Sequence, residues 1–181
     1  MHLPPSPHNV ANLDQAFSAL TLSAQTAHRC NTCSQPLSSQ NALDHHKITH
    51  LPKTVNCLAC PRKFRRYADV LIHLEAGTCS SGTNLRSLNR LAAMCYQWKK
   101  YVAKEFRQQL LERDVAYRVW GEGPFKCPRC GEEFPLLSSL AMHVWSPTPQ
   151  CGQGMNGGAM GKLKRWLGKK LFPFRAGWRT A

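Results

Sequence analysis

Apolar residues recur every three or four positions along the middle of the chain, the spacing of one face of an α-helix. The positions are Leu85, Leu88, Ala92, Cys95, Lys99 and Val102, and all but Lys99 are apolar. They predict an amphipathic helix from about residue 84 to 100, capped by Thr83 or Asn84. We expect it to pack on a neighbouring folded module and hold it in place.

The next segment, residues 101–120, combines two patterns. Its first half carries apolar residues at helical spacing, namely Val102, Phe106 and Leu110. Its second half alternates as a strand does, at Val115, Tyr117 and Val119. We therefore expect a helix to about residue 112 and then a strand, ended by a GEGP turn at 121–124.

Two further amphipathic segments lie towards the ends of the chain. A short helix over Leu13–Ser23, capped by Asn12, follows a Pro- and Ser-rich start expected to be disordered. This helix either packs on the module after it or docks a partner. Near the C-terminus, helical spacing is found at Leu163, Trp166, Leu167 and Leu171, which predicts a basic amphipathic helix. The Gly-rich stretch Gly152–Gly161 before them has the composition of a flexible hinge.

Between these segments, three stretches share one plan, most compactly over Cys57–Cys79. A Cys-x-x-Cys pair is followed by two apolar core residues, then a histidine, then a fourth cysteine or histidine. The pair directs two thiolates at one ion, and the helix and its end supply two more ligands to a tetrahedral zinc. So small an apolar core does not fold without metal.

The spacing predicts three zinc sites. The ligands of the first are Cys30, Cys33, His46 and His50, with Leu37 and Leu43 as core residues. The ligands of the second are Cys57, Cys60, His73 and Cys79, with Phe64 and Val70 as core residues. The ligands of the third are Cys127, Cys130, His143 and Cys151, with Phe134 and Leu140 as core residues. His45 competes with His46, but it is rotated by about 100° round the helix and should point outward.

Two alternatives concern the cysteines. Seven residues, including Pro147 and Pro149, separate His143 from Cys151. If Cys151 did not close its site, zinc would keep an open, catalytic position, although neither a base nor a pocket is visible. The second alternative is a disulfide-rich secreted domain. It would not explain the regularly spaced histidines, and the start of the chain does not resemble a signal peptide. Cys95 is left over, and it is either a buried core thiol, part of a fourth metal site or a reactive nucleophile.

The formal charge of +14 and the pI of about 9.7 indicate contact with nucleic acid or another anionic surface. One basic cluster follows the second cysteine pair: Arg62, Lys63, Arg65 and Arg66. It either contacts phosphate or is a solvated turn. A second cluster lies in the tail: Lys162, Lys164, Arg165, Lys169 and Lys170. Three hypotheses compete for the tail: nucleic-acid contact or nuclear import, membrane-surface binding, and packing of its aromatic face on a finger.

Sequence-specific DNA reading is poorly supported. Zinc-finger helices reach bases through positions −1, 3 and 6. These positions hold Ser39, Ala42 and His45, then Arg66, Asp69 and Ile72, then Leu136, Ser139 and Met142. Arg66 alone is a good guanine reader. The connection LPKTVN also lacks the Gly-Glu-Lys-Pro sequence of tandem DNA-reading fingers.

The run RKFRRYADVLIHLEAGTCSSGTNLRSLNRLAAMCYQWKKY, then PFKCPRCGEEFPLLSSLAMHV and a basic aromatic tail, resembles a family of fungal C2H2-type zinc-finger proteins. The resemblance covers roughly residues 28–175. It implies zinc binding, with Cys57, Cys60, His73 and Cys79 as one site. It also implies that Cys127, Cys130 and His143 belong to another.

We thus expect a small zinc-stabilised α+β protein with three ββα fingers and a packed helix between the second and third. The expected segments are a disordered N-terminus at 1–27, fingers at 28–50, 55–81 and 125–151, a connecting helix and strand at 83–120, and a hinge and tail at 152–181. The expected function is zinc-dependent nucleic-acid binding in the nucleus, on DNA more than RNA, with a regulatory role. The alternatives are a protein-interaction scaffold and a cytoplasmic location. Neither enzymatic activity nor a membrane span is expected.

Overall fold

The computed structural model of the protein describes residues 28–112, 123–145, 151 and 154–176. The chain divides into two compact units, the first ending at Leu51 and the second beginning at Pro52. The helix predicted over Leu13–Ser23 and the strand predicted after residue 112 lie outside the described residues. In the described ranges, no helix is both long enough and apolar enough to cross a membrane.

The elements in chain order are β1 (His28–Arg29), β2 (Pro36–Leu37), α1 (Gln40–Lys47), β3 (Val55–Asn56), β4 (Lys63–Phe64), α2 (Tyr67–Glu75), α3 (Leu85–Met94), α4 (Arg107–Glu112), β5 (Phe125–Lys126), β6 (Glu133–Phe134), α5 (Leu137–Trp145) and α6 (Gly158–Ala176). Short 3-10 turns cover Ile48–His50, Trp98–Lys100 and Lys104–Phe106. The strands pair as three antiparallel hairpins, β1–β2, β3–β4 and β5–β6. Each hairpin is followed by a helix, which gives a small α+β fold.

Polar side chains fix where the helices begin. The Ser39 hydroxyl accepts a hydrogen bond from the Ala42 N–H at 3.1 Å, so α1 starts at Gln40. At α3, the Asn84 side chain accepts from the Ser87 N–H at 3.1 Å, and the Ser87 hydroxyl accepts from the Asn84 N–H at 2.9 Å. This reciprocal pair satisfies two backbone donors at the helix start.

The predicted helix from 84 to 100 is wrong at its C-terminal end. The α-helix stops at Met94, because Cys95 has extended backbone angles of φ −63° and ψ 137°. The Tyr101 hydroxyl donates to the Ala92 carbonyl oxygen at 3.1 Å, and the Cys95 N–H donates to the same oxygen at 3.2 Å. The chain therefore turns back on its own last helical turn, and Lys99 lies in a 3-10 turn.

Val102 also departs from its predicted helical role. It forms an antiparallel bridge with Phe125. The Ala103 N–H donates to the Pro124 carbonyl at 3.0 Å, and the Lys126 N–H donates to the Tyr101 carbonyl at 2.9 Å. The connecting segment thus pairs with strand β5 through an isolated bridge before the chain enters α4.

The Gly-rich stretch predicted to be a hinge is partly helical, since α6 already begins at Gly158. Gly161 is buried, and a Cβ atom there would lie 2.4 Å from the Asn156 carbonyl oxygen. Close packing therefore requires this glycine. Met155 and Met160 are buried beside it, which anchors the described part of the stretch.

One apolar core runs through the second unit. It includes Val70 and Leu71 of α2, Leu88 of α3, Leu140 of α5 and Leu167 of α6, each 0% exposed. α2 packs against α5, and α3 packs against α2, α4 and α6. In the described part of the first unit, Cys30 and Leu43 are the buried residues, so that unit has little apolar core of its own.

Candidate metal centres

The first unit gathers two cysteines and two histidines at one point. Cys30 and Cys33 stand on the turn of the β1–β2 hairpin, His46 lies on α1, and His50 lies on the following 3-10 turn. The Nε2 atom of His46 is 3.1 Å from the Cys33 thiol, and that of His50 is 3.4 Å from the Cys30 thiol. The two Nε2 atoms are 3.1 Å apart. His45 is exposed on the opposite side of α1 and takes no part.

The second group is fully buried and lies in the second unit. Its members are Cys57, Cys60, His73 and Cys79. The His73 Nε2 atom is 3.4 Å from the Cys60 thiol. Its Nδ1 atom is 2.9 Å from the Thr78 hydroxyl, which itself donates to the His73 carbonyl at 3.2 Å. This contact fixes the ring so that Nε2 faces the cysteines.

The third group is formed by Cys127, Cys130, His143 and Cys151. The Cys130 thiol is 3.3 Å from His143 Nε2, and the thiols of Cys127 and Cys151 are 3.9 Å apart. The Glu132 carboxylate lies 3.3 Å from His143 Nδ1, so it orients this ring as Thr78 orients His73. Cys151 therefore joins the group despite the long, Pro-containing gap before it.

The geometry of all three groups fits zinc. In each group, the four ligand atoms lie within 4.8 Å of one another. Tetrahedral zinc with Zn–S of about 2.3 Å and Zn–N of about 2.0 Å places its ligand atoms roughly 3.3–3.8 Å apart. Thiolates and imidazoles are the donors that zinc prefers in structural sites. The chain thus carries three Cys/His groups positioned to hold zinc, each with four protein ligands.

The protonation of the ligands depends on their surroundings. Burial raises the pKa of the Cys57 thiol to about 12. The Glu132 backbone N–H lowers the pKa of Cys130 to about 7. Burial lowers the pKa of His73, and the nearby charge of Arg62 adds to this effect. Because zinc binds thiolate and neutral imidazole, its uptake must release protons, and its affinity must fall in acid.

Cys95 is buried and lies outside the three groups. Tyr101 lies beside it, and burial raises the pKa of this phenol while the Cys95 thiol adds to the shift. Of the three interpretations from the sequence, the structure matches the buried core thiol.

The second and third hairpin–helix modules are joined by a polar contact that the sequence analysis missed. The Glu75 carboxylate, at the end of α2, accepts hydrogen bonds from the Ser138 N–H at 3.0 Å and from the Ser138 hydroxyl. Ser138 lies in the first turn of α5, where unpaired N–H groups attract a carboxylate. Glu75 and Ser138 are 63 positions apart in the sequence, whereas capping patterns join residues a few positions apart. This contact could therefore be found only from the fold.

Arg66, the predicted guanine reader, is held within the protein. Its side chain is 13% exposed and forms a 2.6 Å ion pair with Asp69. Its guanidinium carbon also lies 5.3 Å from the ring centroid of Trp145. The packing of α2 against α5 brings Trp145 to Arg66, whereas the pair with Asp69 is local to the start of α2. Reading a base through Arg66 would require both contacts to break.

The other predicted nucleic-acid residues are more accessible. Arg62 and Lys63 are exposed, and Arg65 is half-buried. With Lys53 they line a depression of about 440 Å³ that also includes Phe64 and Asp69. On α6, the exposed residues are Lys162, Arg165, Lys169 and Lys170. Lys164 is half-buried, with its ammonium 5.3 Å from the Tyr67 ring centroid.

Comparison with known proteins supports the first centre directly. A family model described as a C2H2-type zinc finger matches residues 27–53. No curated protein and no solved structure matches the chain. The second and third centres therefore rest on their geometry and ligand chemistry.

Proposed function

We propose that the protein binds nucleic acid through phosphate contacts made by exposed basic side chains, with zinc in a structural role. The observation that carries this proposal is unbalanced positive charge on α6. Lys162, Arg165, Lys169 and Lys170 are exposed, and no acidic residue follows Glu133 in the sequence. Among the described lysines and arginines, Lys47 and Arg66 alone form ion pairs with a carboxylate.

The packing of α6 favours nucleic acid over a membrane surface. Leu163, Leu167 and Leu171 are each at most 2% exposed, and the Trp166 indole N–H donates to the Leu91 carbonyl at 2.9 Å. An amphipathic helix binds a membrane through its apolar face, which here is buried in the protein. The exposed part of the helix carries Lys162, Arg165, Lys169 and Lys170 beside the exposed Phe172, and this charge suits a phosphate backbone.

The proposed contact carries little sequence preference. Arg66 is paired, and Ile72, Leu136 and Met142 are apolar. Zinc has four protein ligands in each group, which supports a structural role over a catalytic one. We further propose a nuclear location, a regulatory role, a preference for DNA over RNA, and membership of the fungal family that the sequence resembles.

The second candidate is a zinc-stabilised protein-interaction scaffold. The apolar side chains at the base-reading positions favour it, because Ile72 is 43% exposed on α2 without a visible base-reading role. Such a scaffold would hold its fingers as folded modules and would not bind nucleic acid.

A titration with random-sequence duplex DNA and RNA at two salt concentrations tests the proposal. The test variant combines Lys162→Gln, Arg165→Gln and Lys169→Gln. The control variant removes the same charge elsewhere, through Arg29→Gln, Lys47→Gln and Arg90→Gln, all at exposed positions. For duplex DNA, three lost phosphate contacts should reduce the slope of log K against log salt by roughly 2.7.

The wild-type protein should bind less tightly as salt rises, and the α6 variant should lose much more affinity than the control. Absence of binding even at low salt would refute the proposal and favour the scaffold. If the two variants lost the same affinity for nucleic acid, the basic residues of α6 would make no specific contribution to binding. A fluorescent fusion of the full chain tests the proposed location.

A further inference from the structure

A second basic surface lies between the connecting segment and the last hairpin, at residues that the sequence analysis did not connect. Four cations and an indole line a cavity of about 620 Å³: Trp98, Lys99, Lys104, Arg107 and Lys126, together with Gln108 and Val102. We call it the Trp98 pocket. Its cations come from two 3-10 turns, the start of α4 and strand β5, so the fold itself brings them together.

The pocket is electrostatically unbalanced. None of its lining residues is acidic. Among the described residues, the acidic side chains next to these cations do not line the pocket: Glu105 is exposed, Glu112 accepts from the Gln108 amide at 2.5 Å, and Glu133 is the cross-strand partner of Lys126 on β6. The Arg107 Nε atom is buried and has no hydrogen-bond partner among the described residues. An anion bound among the four cations would offset their mutual repulsion.

Trp98 adds a second type of contact. The Arg107 guanidinium carbon lies 4.4 Å from the centroid of the indole, and the Lys99 ammonium lies 5.9 Å from it. The guanidinium thus lies over the indole ring, and both side chains are half-buried beside the other cations. Unpaired bases stack on such aromatic and guanidinium planes, while duplex bases are already stacked on one another.

We propose that the Trp98 pocket binds one nucleotide of a single-stranded nucleic acid, with its phosphate among Lys104, Arg107 and Lys126 and its base against Trp98. This inference rests on the proposed nucleic-acid function and assigns it a specific site. The cavity volume lies within the range of pockets that take ligands of nucleotide size. A duplex presents no free base to such a cavity, so the pocket should favour unpaired strands and frayed ends.

The test is a fluorescence titration of the zinc-loaded full chain with a random single-stranded oligonucleotide at two salt concentrations. The pocket variant combines Lys104→Gln and Lys126→Gln. The control variant combines Arg86→Gln and Arg90→Gln, which removes the same charge from exposed positions on α3. A third variant, Trp98→Phe, tests the stacking contact. Each variant must retain three zinc ions per chain, as the three metal groups require.

We expect the pocket variant to bind the single strand on the order of ten-fold more weakly than the control. Its salt slope should fall by roughly 1.4, the value for two lost contacts to single-stranded phosphates. Trp98→Phe should weaken binding of the single strand more than binding of the duplex. Pyrophosphate should compete weakly, because it has no base to stack.

Three results would overturn the inference. Equal affinities of the pocket and control variants, with wild-type binding intact, would place the contact elsewhere and leave the proposed function standing. Pyrophosphate binding as tight as that of the strand would identify a site for free anions instead. A wild-type protein that binds no nucleic acid at low salt would overturn both the inference and the proposed function.

Discussion

Cys151 lies furthest in sequence from the rest of its metal group, yet its thiol is 3.9 Å from that of Cys127. We expect Cys151→Ala to lower the zinc content from three ions per chain to about two, because three ligands leave one tetrahedral position to water. Metal analysis after dialysis against a weak chelator measures this change.

Cys95→Ala is the matched control, since Cys95 is equally buried but lies outside the metal groups. It should destabilise the fold slightly and leave the zinc content at three. Zinc loss in the control but not in Cys151→Ala would contradict the assignment of the third centre.

Thr78 supports the second centre without binding the metal. Its hydroxyl lies 2.9 Å from His73 Nδ1 and fixes the direction of the ring. We expect Thr78→Val to lower the affinity of this site for zinc by about ten-fold, the lower end of the range for groups that orient a metal ligand. Thr78→Ser, which keeps the hydroxyl, should retain most of the affinity. Competition with a chromophoric chelator compares the variants, and equal affinities for Val and Ser would refute the role.

At the scale of the elements, α6 is part of the core of the second unit. Leu167 is 0% exposed on its inner face, whereas Phe172 is 51% exposed. We expect Leu167→Ala to lower the free energy of unfolding by about 3 kcal/mol, because it leaves a cavity between packed helices. Phe172→Ala should change it by less than about 1 kcal/mol. Urea unfolding of the zinc-loaded protein measures both, and similar losses would mean that α6 is not packed as described.

This packing also determines how the basic residues of α6 can be studied. Truncation before Lys162 would remove Leu163, Leu167 and Leu171 from the core together with the charges. Any loss of binding would then include unfolding. Substitution of exposed lysines and arginines by glutamine keeps the leucines and isolates the charge.

The sequence predicted the parts of the fold that local patterns encode. The spacing of cysteines and histidines identified the members of each metal group, because a turn and a helix fix the distances between these residues locally. Helical spacing likewise identified α3 and the buried leucines of α6. What it could not show was long-range contact: Tyr101 ends α3 by bonding to Ala92, and Glu75 joins two modules through Ser138.

Arg66 and the Gly-rich stretch show that residue type and composition do not reveal the contacts a residue makes. Arg66 has the residue type of a base reader, but it pairs with Asp69, three residues along the chain, and the packing of α2 on α5 places it against Trp145. Gly161 belongs to a stretch with the composition of a hinge, but a Cβ atom there would collide with the Asn156 carbonyl at the start of α6. The contacts with Asp69 and Asn156 are local, whereas the contact with Trp145 depends on the packing of two helices.

At the scale of the whole molecule, zinc has unequal importance in the two units. In the described part of the first unit, Cys30 and Leu43 are the buried residues, and Cys30 belongs to the metal group. The second unit also has an apolar core that extends beyond its metal-group residues and includes Leu88, Ala92 and Leu167. Removal of zinc should therefore unfold the first unit completely. The packed helices α3 and α6 of the second unit should remain compact, with looser packing.

Hydrogen exchange of the chelated, reduced protein distinguishes these outcomes. Amides of Gln40–Lys47 should exchange at the rate of an unfolded chain, whereas those of Leu88–Ala93 should remain protected on the order of ten-fold or more. The zinc-loaded protein is the reference, and re-addition of zinc should restore protection in both segments. If both segments lost protection together, the apolar core of the second unit would be too weak to persist alone, and zinc would be required throughout the fold.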